Sequence, residues 1–345
     1  MKHFLVLGAF EDLQTGIYIV NSIEDAGHKV DFLDIRQICK ELGSFKSQEE
    51  ILTQLKNMNI KPDIVMILKG LEISKDTLIK IKEIYKDAKL VNWFFDVYLG
   101  DVPIYENKEY FDVLKMYDYY FCSLKGVNDK LKELGFSNAY YLDEACCPEA
   151  NGEQYMNAYQ KHKYGSDVSF IGSLGLSKMH KDRIRLLSLV ANECFNLSIY
   201  GDVYVDWKYI PEELRRCHKR MSVINERHSM VIQSSLVNLG IDQDINIDMG
   251  FSARLFRILC AGGLLLNTNT KGLDKMFNIN KKGESITKDL DLVVFYDDKD
   301  LCDKLDFLLE HRDIAEAIAK NGQKKALENH TFVHRIQEMT KIIGE

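Results

Sequence analysis

Two arginines near the start of a predicted helix are the residues of this chain best suited to chemistry. Arg254 and Arg257 lie three positions apart in the segment 249–263, so they project from nearly the same side of a helix. Ser252 is a typical helix cap, Gly250 can adopt backbone angles closed to other residues, and the N–H groups of a helix start attract anions. A guanidinium in the first turn adds a planar fork for phosphate oxygens. The segment therefore predicts an anion site, and an ordinary core helix with a serine cap is the alternative.

An acidic residue follows an aromatic strand in the first half of the chain. Trp93 and Asp96 belong to the segment 92–96, in which an apolar strand ends at the acid. In parallel sheets ligands bind at the carboxyl ends of the strands, so Asp96 is placed to face a cleft. The aromatic face of Trp93 can stack on a sugar ring. The alternative is a core tryptophan followed by a turn aspartate.

Small residues end several other predicted strands. Gly172 and Ser173 follow one strand of the second half, and Gly201 follows the next. A glycine at a strand end permits close approach of a ligand phosphate, although a tight turn explains it equally well. Gly8 ends the first strand without a GxGxxG run, so dinucleotide binding has little support.

Three charged segments have simpler explanations. Glu11 and Asp12 are expected to complement a helix dipole. The run 180–183 (His-Lys-Asp-Arg) is expected to lie on the solvated face of a helix. The triplet 242–244 has the D-x-D form of a metal site, but it lies among polar loop residues, so we predict no metal site there.

These residues are carried by two series of short apolar strands that alternate with amphipathic helices. The alternation is typical of α/β domains, each with a doubly wound parallel sheet covered on both faces. The predicted strands of the first series are 4–7, 30–33, 64–68, 90–95, 119–122 and 139–142, and its helices lie near 13–26, 48–58, 75–86 and 126–134. The predicted strands of the second series are 168–171, 197–200, 235–239, 264–268 and 292–296.

The composition describes a globular chain with enough apolar residues for two cores. Of the 345 residues, 46% are hydrophobic and 28% are charged. The formal net charge of -7 argues against non-specific binding of nucleic acid. No apolar run approaches the roughly 18 residues of a membrane span, and the apolar start is too short for a signal peptide, so we expect a cytoplasmic protein. The eight Cys show neither CxxC pairs nor zinc-site spacing and are expected to be reduced thiols.

The second half of the chain resembles the CgeB-like glycosyltransferases, a family with the GT-B fold of two facing Rossmann-like domains. The resemblance runs in the same order, and at similar separations, through residues 167–173, 197–201, 249–268 and 330–335. Many GT-B enzymes carry two Glu residues eight positions apart in this region, and the second holds the nucleotide ribose. Met249 and Arg257 stand at those positions here. The resemblance therefore implies the fold and the location of a donor site, but not the identity of the nucleotide sugar.

The resemblance implies transfer of a sugar from a nucleotide-sugar donor, bound mainly by the second domain, to an acceptor held by the first. UDP is the most frequent carrier in such families. We expect no resident cofactor and no metal, because helix amides and cationic side chains can stabilise a departing diphosphate. Asp96 is the expected base for the acceptor hydroxyl, with Gly8 and Trp93 also on the acceptor side. The expected donor-binding residues are Gly172, Ser173, Tyr200, Gly201, Asn238, Gly250, Phe251, Ser252, Arg254 and Arg257.

Two other functions are open at this point: a nucleotide-sugar epimerase or hydrolase on the same fold, and a non-catalytic sensor of nucleotide sugars, which the two missing Glu residues favour. The sequence does not indicate whether the acceptor is a protein, a glycan or a small molecule.

The polar segment 143–163 is the predicted linker between two domains. It separates a domain over 1–155 from one over 165–328, and residues 329–345 are expected to form a helix that crosses back to the first domain.

Overall fold

The computed structural model describes residues 1–10, 15–96, 98–99, 102–193 and 195–344, which form two compact units. Unit 1 comprises Met1–Asp143 and Phe332–Glu345, and unit 2 comprises Glu144–Thr331. The chain thus passes from unit 1 to unit 2 at residue 143, earlier than the predicted domain boundary. Each unit is a Rossmann-like α/β unit with a parallel sheet, as the strand and helix alternation predicted.

Unit 1 is built on a six-stranded parallel sheet and a short antiparallel pair of strands. The strands are β1 His3–Gly8, β2 Lys29–Asp34, β3 Ile64–Leu68, β4 Lys89–Phe94, β5 Tyr98–Leu99, β6 Val102–Pro103, β7 Tyr119–Cys122 and β8 Ala139–Tyr141. The helices are α1 Thr15–Asp25, α2 Ile35–Asn57, α3 Lys75–Ile84, α4 Lys108–Leu114 and α5 Lys125–Glu133. The sheet has the order β2-β1-β3-β4-β7-β8, and every residue of the central strand β3 is buried, as expected when helices cover both faces.

The strand order places the switch point of this sheet between β1 and β3. The chain runs from β1 outward to β2 and returns to β3 on the other side of β1. In open α/β sheets a crevice forms at the carboxyl ends of the two strands at such a point, and ligands bind there. The crevice of unit 1 is therefore bordered by the residues that follow β1 and β3.

Unit 2 has a five-stranded parallel sheet with the order β10-β9-β11-β12-β13. Its strands are β9 Ser166–Ile171, β10 Leu197–Tyr200, β11 Ser235–Gly240, β12 Leu265–Thr268 and β13 Val293–Phe295. Its helices are α6 Pro148–Asn151, α7 Ala158–Tyr164, α8 Lys178–Asn192, α9 Glu212–Cys217, α10 Asn225–Ser234, α11 Ala253–Cys260, α12 Asp298–Glu310 and α13 Arg312–Asn329. The switch point lies between β9 and β11, so the loops after these two strands border the crevice of this unit.

The last helix, α14 Phe332–Ile343, belongs to unit 1 and packs against α1. The ring of Phe332 lies 6.3 Å from that of Tyr18 and 6.0 Å from that of Trp93, measured between centroids. The hydroxyl of Tyr119 donates a hydrogen bond to the carbonyl of Ile343 at 2.9 Å. Unit 1 is therefore completed by residues that follow unit 2 in the chain.

Two predictions about chain organisation were wrong. The predicted linker 143–163 contains α6 and most of α7, and its Cys146 and Cys147 are buried because they pack into unit 2. Helix α2 begins at Ile35 instead of near residue 48, because the carboxylate of Asp34 accepts a hydrogen bond from the N–H of Gln37 at 2.8 Å and caps an earlier turn.

Among the described residues, no helix is long and apolar enough to cross a membrane. The seven Cys of the described ranges are free thiols, four of them buried.

Candidate functional site

Arg254, in the first turn of α11, lies across the carboxyl ends of two neighbouring strands of unit 2. Its Nε donates to the carbonyl of Ile171 at 2.7 Å, and its Nη1 lies 3.3 Å from the carbonyl oxygen of Ile241. The same Nη1 donates to Oγ of Ser252 at 3.3 Å, and the guanidinium carbon lies 4.9 Å from the centroid of the Phe170 ring. The guanidinium is therefore fixed at the switch point of the sheet.

Arg183, in α8, meets the same aromatic ring. It is only 5% exposed, its guanidinium carbon lies 5.4 Å from the centroid of the Phe170 ring, and its Nη1 donates to the carbonyl of Ser173 at 2.6 Å. The prediction that the run 180–183 lies on a solvated face was wrong for its two ends, because His180 and Arg183 are both buried. The two side chains are three positions apart and share one helix face, which was the available sequence signal.

Positive charge accumulates at Arg183, which is buried, and at Arg254, which is half-buried. In the part of the chain that the structure describes, neither Arg183 nor Arg254 forms an ion pair within 4.0 Å. Burial, together with the charge of Arg254, lowers the pKa of Arg183 to about 9, and burial also lowers the pKa of Arg254. Asp242 is the one carboxylate that opposes both shifts. We call Arg183, Arg254 and Arg257 the arginine cluster; Arg257 belongs to it because its charge contributes to the lowered pKa of Arg254.

Asp242, directly after β11, organises the segment that leads into α11. One carboxylate oxygen accepts from the N–H of Ser252 at 3.2 Å, and the other accepts from Asn267 at 3.0 Å and Thr270 at 2.7 Å. Ser252 is the N-cap residue of α11, but its hydroxyl makes no capping bond, so the predicted bond was wrong. Across the described ranges, no group of three His, Cys, Asp or Glu could hold a metal ion.

A neutral histidine fixes the loop after β9. Nε2 of His180 lies 3.0 Å from Oγ of Ser173, and its Nδ1 lies 2.6 Å from Oγ of Ser177. Burial and the charge of Arg183 lower the pKa of His180, so both ring nitrogens serve as hydrogen-bonding groups rather than as a second cation. Ser173, a predicted donor-binding residue, is thereby held beside Arg183.

Two glycines of the predicted site are required by close approach. A Cβ on Gly172 would lie 2.6 Å from Nη2 of Arg254, so only glycine leaves room for the guanidinium. Gly201 has φ +134°, and a Cβ there would lie 2.4 Å from the carbonyl oxygen of Gly172. The close contact that the sequence suggested for a ligand is thus made, in these two cases, with the protein's own groups.

Three predicted donor-binding side chains lie in the interior instead. Tyr200 and Phe251 are buried in apolar clusters. Asn238 is buried too, and its amide joins Oγ of Ser169 at 2.7 Å to the carbonyl of Leu264 at 3.3 Å. These side chains pack unit 2, and their contact with a donor stays a prediction. Successive side chains of a strand point to opposite faces of the sheet, and the sequence did not indicate which of them face the core.

The backbone before α11 differs from the expectation in one position. Met249, not Gly250, takes the left-handed conformation, with φ +49°. Gly250 is needed for close packing, since a Cβ there would lie 2.9 Å from Cγ2 of Ile247.

His228, near the start of α10, is a residue of this region that the sequence analysis missed. It is 6% exposed, and its Nδ1 has no hydrogen-bond partner among the described residues. Burial and the charges of Arg257 and Arg254 lower its pKa to about 3, so the ring is neutral at physiological pH. Its nearness to the arginine cluster depends on the packing of α10 against α11, which no local sequence pattern encodes.

The crevice of unit 1 holds a small cavity, and two of its lining side chains, Arg36 and Lys69, form ion pairs. The cavity has a volume of about 100 Å³ and is lined by Ala9, Thr15, Gly16, Arg36, Leu68, Lys69, Glu72 and Phe95. Nε of Arg36 lies 2.9 Å from Oε1 of Glu72, and Nζ of Lys69 lies 2.6 Å from Oδ2 of Asp96. Asp96 follows β4, as predicted, but the structure gives it a lysine partner that the sequence analysis did not identify.

Lys69 is held in a backbone conformation that non-glycine residues rarely adopt. Its φ is +58°, and its N–H donates to the carbonyl of Trp93 at 2.9 Å. Its own carbonyl accepts from Nδ2 of Asn92 at 3.1 Å and from the hydroxyl of Tyr110 at 3.4 Å. A left-handed residue costs of order 1–3 kcal/mol and persists where surrounding groups impose it, most often at functional sites.

One acceptor-side prediction, the role of Trp93, needs correction. Trp93 is 0% exposed and its Nε1 donates to the carbonyl of Leu142 at 3.1 Å, so it is a core residue and the expected sugar stacking was wrong. Phe95, two residues later, is the aromatic side chain that lines the cavity. Gly8 packs against Leu68, and a Cβ there would lie 3.1 Å from that side chain. The predicted first-turn acids at positions 11 and 12 lie outside the described residues.

Comparisons with known proteins agree with this architecture. A family model described as glycosyl transferase-like matches residues 181–341, slightly less than half of the chain. HepE of Anabaena, solved with UDP and glucose, has a TM-score of 0.66 at 9% identity, with 99% of each chain covered. Sucrose-phosphate synthase of Thermosynechococcus elongatus has a TM-score of 0.63 at 9% identity, covering 99% of this chain and 98% of that one. The catalytic domain of starch synthase IV from Arabidopsis thaliana, bound to ADP and acarbose, has a TM-score of 0.63 at 10% identity, covering 97% and 99%.

These likenesses confirm the predicted GT-B fold, and the family match supports a glycosyltransferase of that type. A search of curated proteins found no match to the sequence. The resemblance to the CgeB-like family stays a prediction.

Proposed function

We propose that this protein is a glycosyltransferase that moves a sugar from a nucleotide-sugar donor to an acceptor, with the diphosphate of the donor bound by the arginine cluster of unit 2. The observation that carries the proposal is the surplus of positive charge, on one buried and one half-buried arginine, at the switch point of the sheet. Among the described residues neither Arg183 nor Arg254 forms an ion pair, and both have a lowered pKa. A ligand with two or more negative charges removes that imbalance, and a nucleoside diphosphate is such a ligand.

The cluster supplies what departure of a diphosphate requires. Charge develops on the diphosphate oxygen as the bond to the sugar breaks, and fixed donors stabilise that charge without rearranging. Arg183 and Arg254 are fixed by their bonds to the carbonyls of Ser173 and Ile171. The start of α11 adds backbone N–H groups and the positive end of a helix dipole. We therefore propose that the reaction proceeds without a metal ion.

In the proposed reaction the oxygen of an acceptor hydroxyl forms a bond to the anomeric carbon of the donor sugar. The bond between that carbon and the diphosphate oxygen breaks, and its electron pair leaves with the nucleoside diphosphate. The hydroxyl proton passes to the carboxylate of Asp96 in unit 1, which Lys69 orients at 2.6 Å. This assignment of Asp96 as general base rests on its position after β4 at the carboxyl edge of the sheet.

UDP is the proposed carrier. HepE was solved with UDP and glucose, whereas starch synthase IV was solved with ADP, so the fold alone does not select the base. The position of Arg257 and the neutral ring of His228 next to the cluster favour recognition of ribose or base by groups other than a glutamate.

The test is calorimetry with UDP, GDP, ADP and dTDP against the wild type, Arg254→Ala and Arg185→Met. Arg185 is a matched control, because it is an exposed arginine in α8 whose Nη1 lies 2.6 Å from both carboxylate oxygens of Asp298. We expect Arg254→Ala to lose more than ~1.5 kcal/mol of diphosphate binding, the value of a charge-assisted hydrogen bond, and Arg185→Met to lose none. Equal affinity of all three proteins for every diphosphate would remove the arginine cluster from the proposal.

Turnover separates an enzyme from a sensor. Incubation with UDP-, GDP-, ADP- and dTDP-sugars in the presence of a chelator should release a nucleoside diphosphate and transfer the sugar. Binding without release contradicts the enzyme, and release that depends on an added divalent ion contradicts the metal-free mechanism.

A further inference from the structure

We propose that Lys69 is a positioning residue of the transfer reaction, and that it stands in a strained turn at a cost in stability because its ammonium holds the carboxylate of Asp96. The inference rests on the proposed function. It goes beyond the contact between the two side chains, because it makes the ammonium the requirement at position 69. The variant Lys69→Gly is therefore expected to be more stable and less active than the wild type.

The turn that follows β3 contains two successive left-handed residues. Lys69 has φ +58° and Gly70 has φ +80°. The N–H of Gly70 donates to the carbonyl of Leu68 at 2.7 Å, which closes a three-residue turn with Lys69 at its centre. A turn closed in this way, with a positive φ at its central residue, is the rare and strained kind. Glycine occupies the second left-handed position without strain, whereas the Cβ of lysine is unfavourable at the first.

Buried polar groups of unit 1 hold this turn through its backbone. The N–H of Lys69 donates to the carbonyl of Trp93 at 2.9 Å, and its carbonyl accepts from Nδ2 of Asn92 at 3.1 Å. Asn92 is 0% exposed. A Cβ on Gly70 would lie 3.1 Å from that Nδ2 and 3.1 Å from the hydroxyl of Tyr117, so the turn is closely packed on this side. Because these contacts involve the backbone, we expect the turn to keep its shape in Lys69→Gly.

The side chain of Lys69 reaches a group that glycine cannot reach. Its Nζ donates to Oδ2 of Asp96 at 2.6 Å, which is a charge-assisted hydrogen bond. Among the described residues, Lys69 is the one hydrogen-bond partner of this carboxylate. The ammonium therefore fixes one oxygen of Asp96 and leaves the other for the proton of an acceptor hydroxyl.

Stability does not explain the lysine. The side chains of Lys69 and Asp96 are 33% and 36% exposed, and ion pairs with this much exposure stabilise a fold only slightly. A left-handed non-glycine residue destabilises the fold by more than such a pair stabilises it. Strain that is not offset in this way is typical of residues retained for function.

The first measurement is urea unfolding of the wild type, Lys69→Gly and Lys69→Met. Both variants lose the ammonium, but only Lys69→Gly loses the strain. We expect the unfolding midpoint of Lys69→Gly to lie roughly 0.3 M above that of Lys69→Met, and also above that of the wild type. A midpoint for Lys69→Gly below that of Lys69→Met would show that the turn is not strained, and would overturn the inference.

The second measurement is turnover of UDP-, GDP-, ADP- and dTDP-glucose, followed as release of the nucleoside diphosphate. We expect Lys69→Gly to lower kcat roughly tenfold or more, because Asp96 is no longer held, and to leave the affinity for UDP unchanged. The side chain is 33% exposed, so the space left by its removal is open to solvent. Added n-butylammonium, which replaces the deleted atoms, should raise kcat of the variant about threefold or more. The uncharged 1-butanol should not.

Asn59→Gly is the matched control. Asn59 is a second left-handed residue of unit 1, with φ +48°, and it precedes β3, at the opposite end of that strand from Lys69. Its replacement by glycine removes the same kind of strain without touching Asp96. We expect Asn59→Gly to raise the unfolding midpoint and to leave turnover unchanged.

The outcome is separable from that of the proposed function. If the wild type is active and Lys69→Gly is equally active, the inference fails and the proposed function stands. The inference also fails if turnover is lost and butylammonium restores no more of it than butanol, since the shape of the side chain would then matter rather than its charge. If the wild type releases no nucleoside diphosphate from any of the four donors, the proposed function fails, and the inference fails with it.

Discussion

Replacing Arg183 by methionine is expected to stabilise the free protein and to weaken binding of a nucleoside diphosphate. Methionine has a similar volume and no charge, so it removes the unmatched cation while keeping the space filled. An ordinary buried hydrogen-bonding residue would behave in the opposite way, because its removal lowers stability. The sign of the change therefore tests whether Arg183 is held in the interior for a ligand.

The magnitude follows from the pKa of Arg183, which burial lowers from 12.5 to about 9. The folded state therefore holds this proton less tightly than the unfolded chain, and the penalty is fully present at every pH below about 9. The difference corresponds to roughly 5 kcal/mol. Loss of the charged hydrogen bond to the carbonyl of Ser173 lowers the free energy of unfolding by ~1.5–3 kcal/mol. A net stabilisation of about 2 kcal/mol raises the melting temperature of a unit of this size by ~4–8 °C.

The assay is thermal unfolding with and without UDP. At 100 times its dissociation constant a ligand stabilises the wild type by about 2.7 kcal/mol, and most of this gain should be absent in Arg183→Met at the same UDP concentration. The control Arg185→Met lies two positions along the same helix, and we expect it to change stability by ~0–1 kcal/mol with no effect on UDP binding. A lower melting temperature for Arg183→Met together with unchanged UDP affinity would refute the reasoning.

Three further predictions concern other residues of the two sites. Gly172→Ala should weaken UDP binding at least tenfold in calorimetry and lower the free energy of unfolding by ~1–3 kcal/mol, because the new Cβ would lie 2.6 Å from Nη2 of Arg254. Unchanged binding would mean that the position of this guanidinium is not important for UDP. Asp96→Asn should lower turnover ~10²- to 10⁴-fold at unchanged UDP affinity, and full activity would exclude it as the base. His228 has a folded pKa of about 3, below its unfolded value of 6.5, so stability should fall as pH decreases through this range. His228→Gln should remove ~2.3 kcal/mol of the loss of stability between pH 6.5 and 4.5, measured from urea unfolding midpoints. Identical pH profiles of the two proteins would contradict the neutral ring.

The strands of both sheets could be predicted because each is a short apolar run that is buried on both faces. All five residues of Ile64–Leu68 are buried, and their type alone indicates this. The start of α2 could have been predicted from Asp34, a typical cap residue. The kink within α2 at Gly43, where φ is +75°, hid the helical period from a search for one regular pattern.

The site was harder to predict than the sheets because its side chains come from distant segments. Arg254 was found because helix start and arginine are neighbours in sequence. Arg183 was not found, because its burial depends on the contact of α8 with the loop after β9. A helix with the same residues on an exposed face would have the same sequence pattern. Trp93 and Phe95 illustrate the reverse error. Their rings lie 5.0 Å apart, but Trp93 is buried within β4, whereas Phe95 lies just beyond the end of that strand and lines the cavity. The sequence did not indicate where the strand ends.

Helix α14 completes unit 1 but is the last helix to be synthesised, so the order of synthesis affects the folding of unit 1. Residues 1–143 are synthesised before the helix that covers Tyr18 and Trp93, and about 190 residues of unit 2 are made in between. At ~5–20 residues per second, the first unit stays incomplete on the ribosome for roughly 10–40 s. Unit 2 is continuous in the chain and can fold during that interval. The nascent protein thus carries an exposed apolar face for as long as translation of the second unit lasts, which makes that face the natural target of a chaperone.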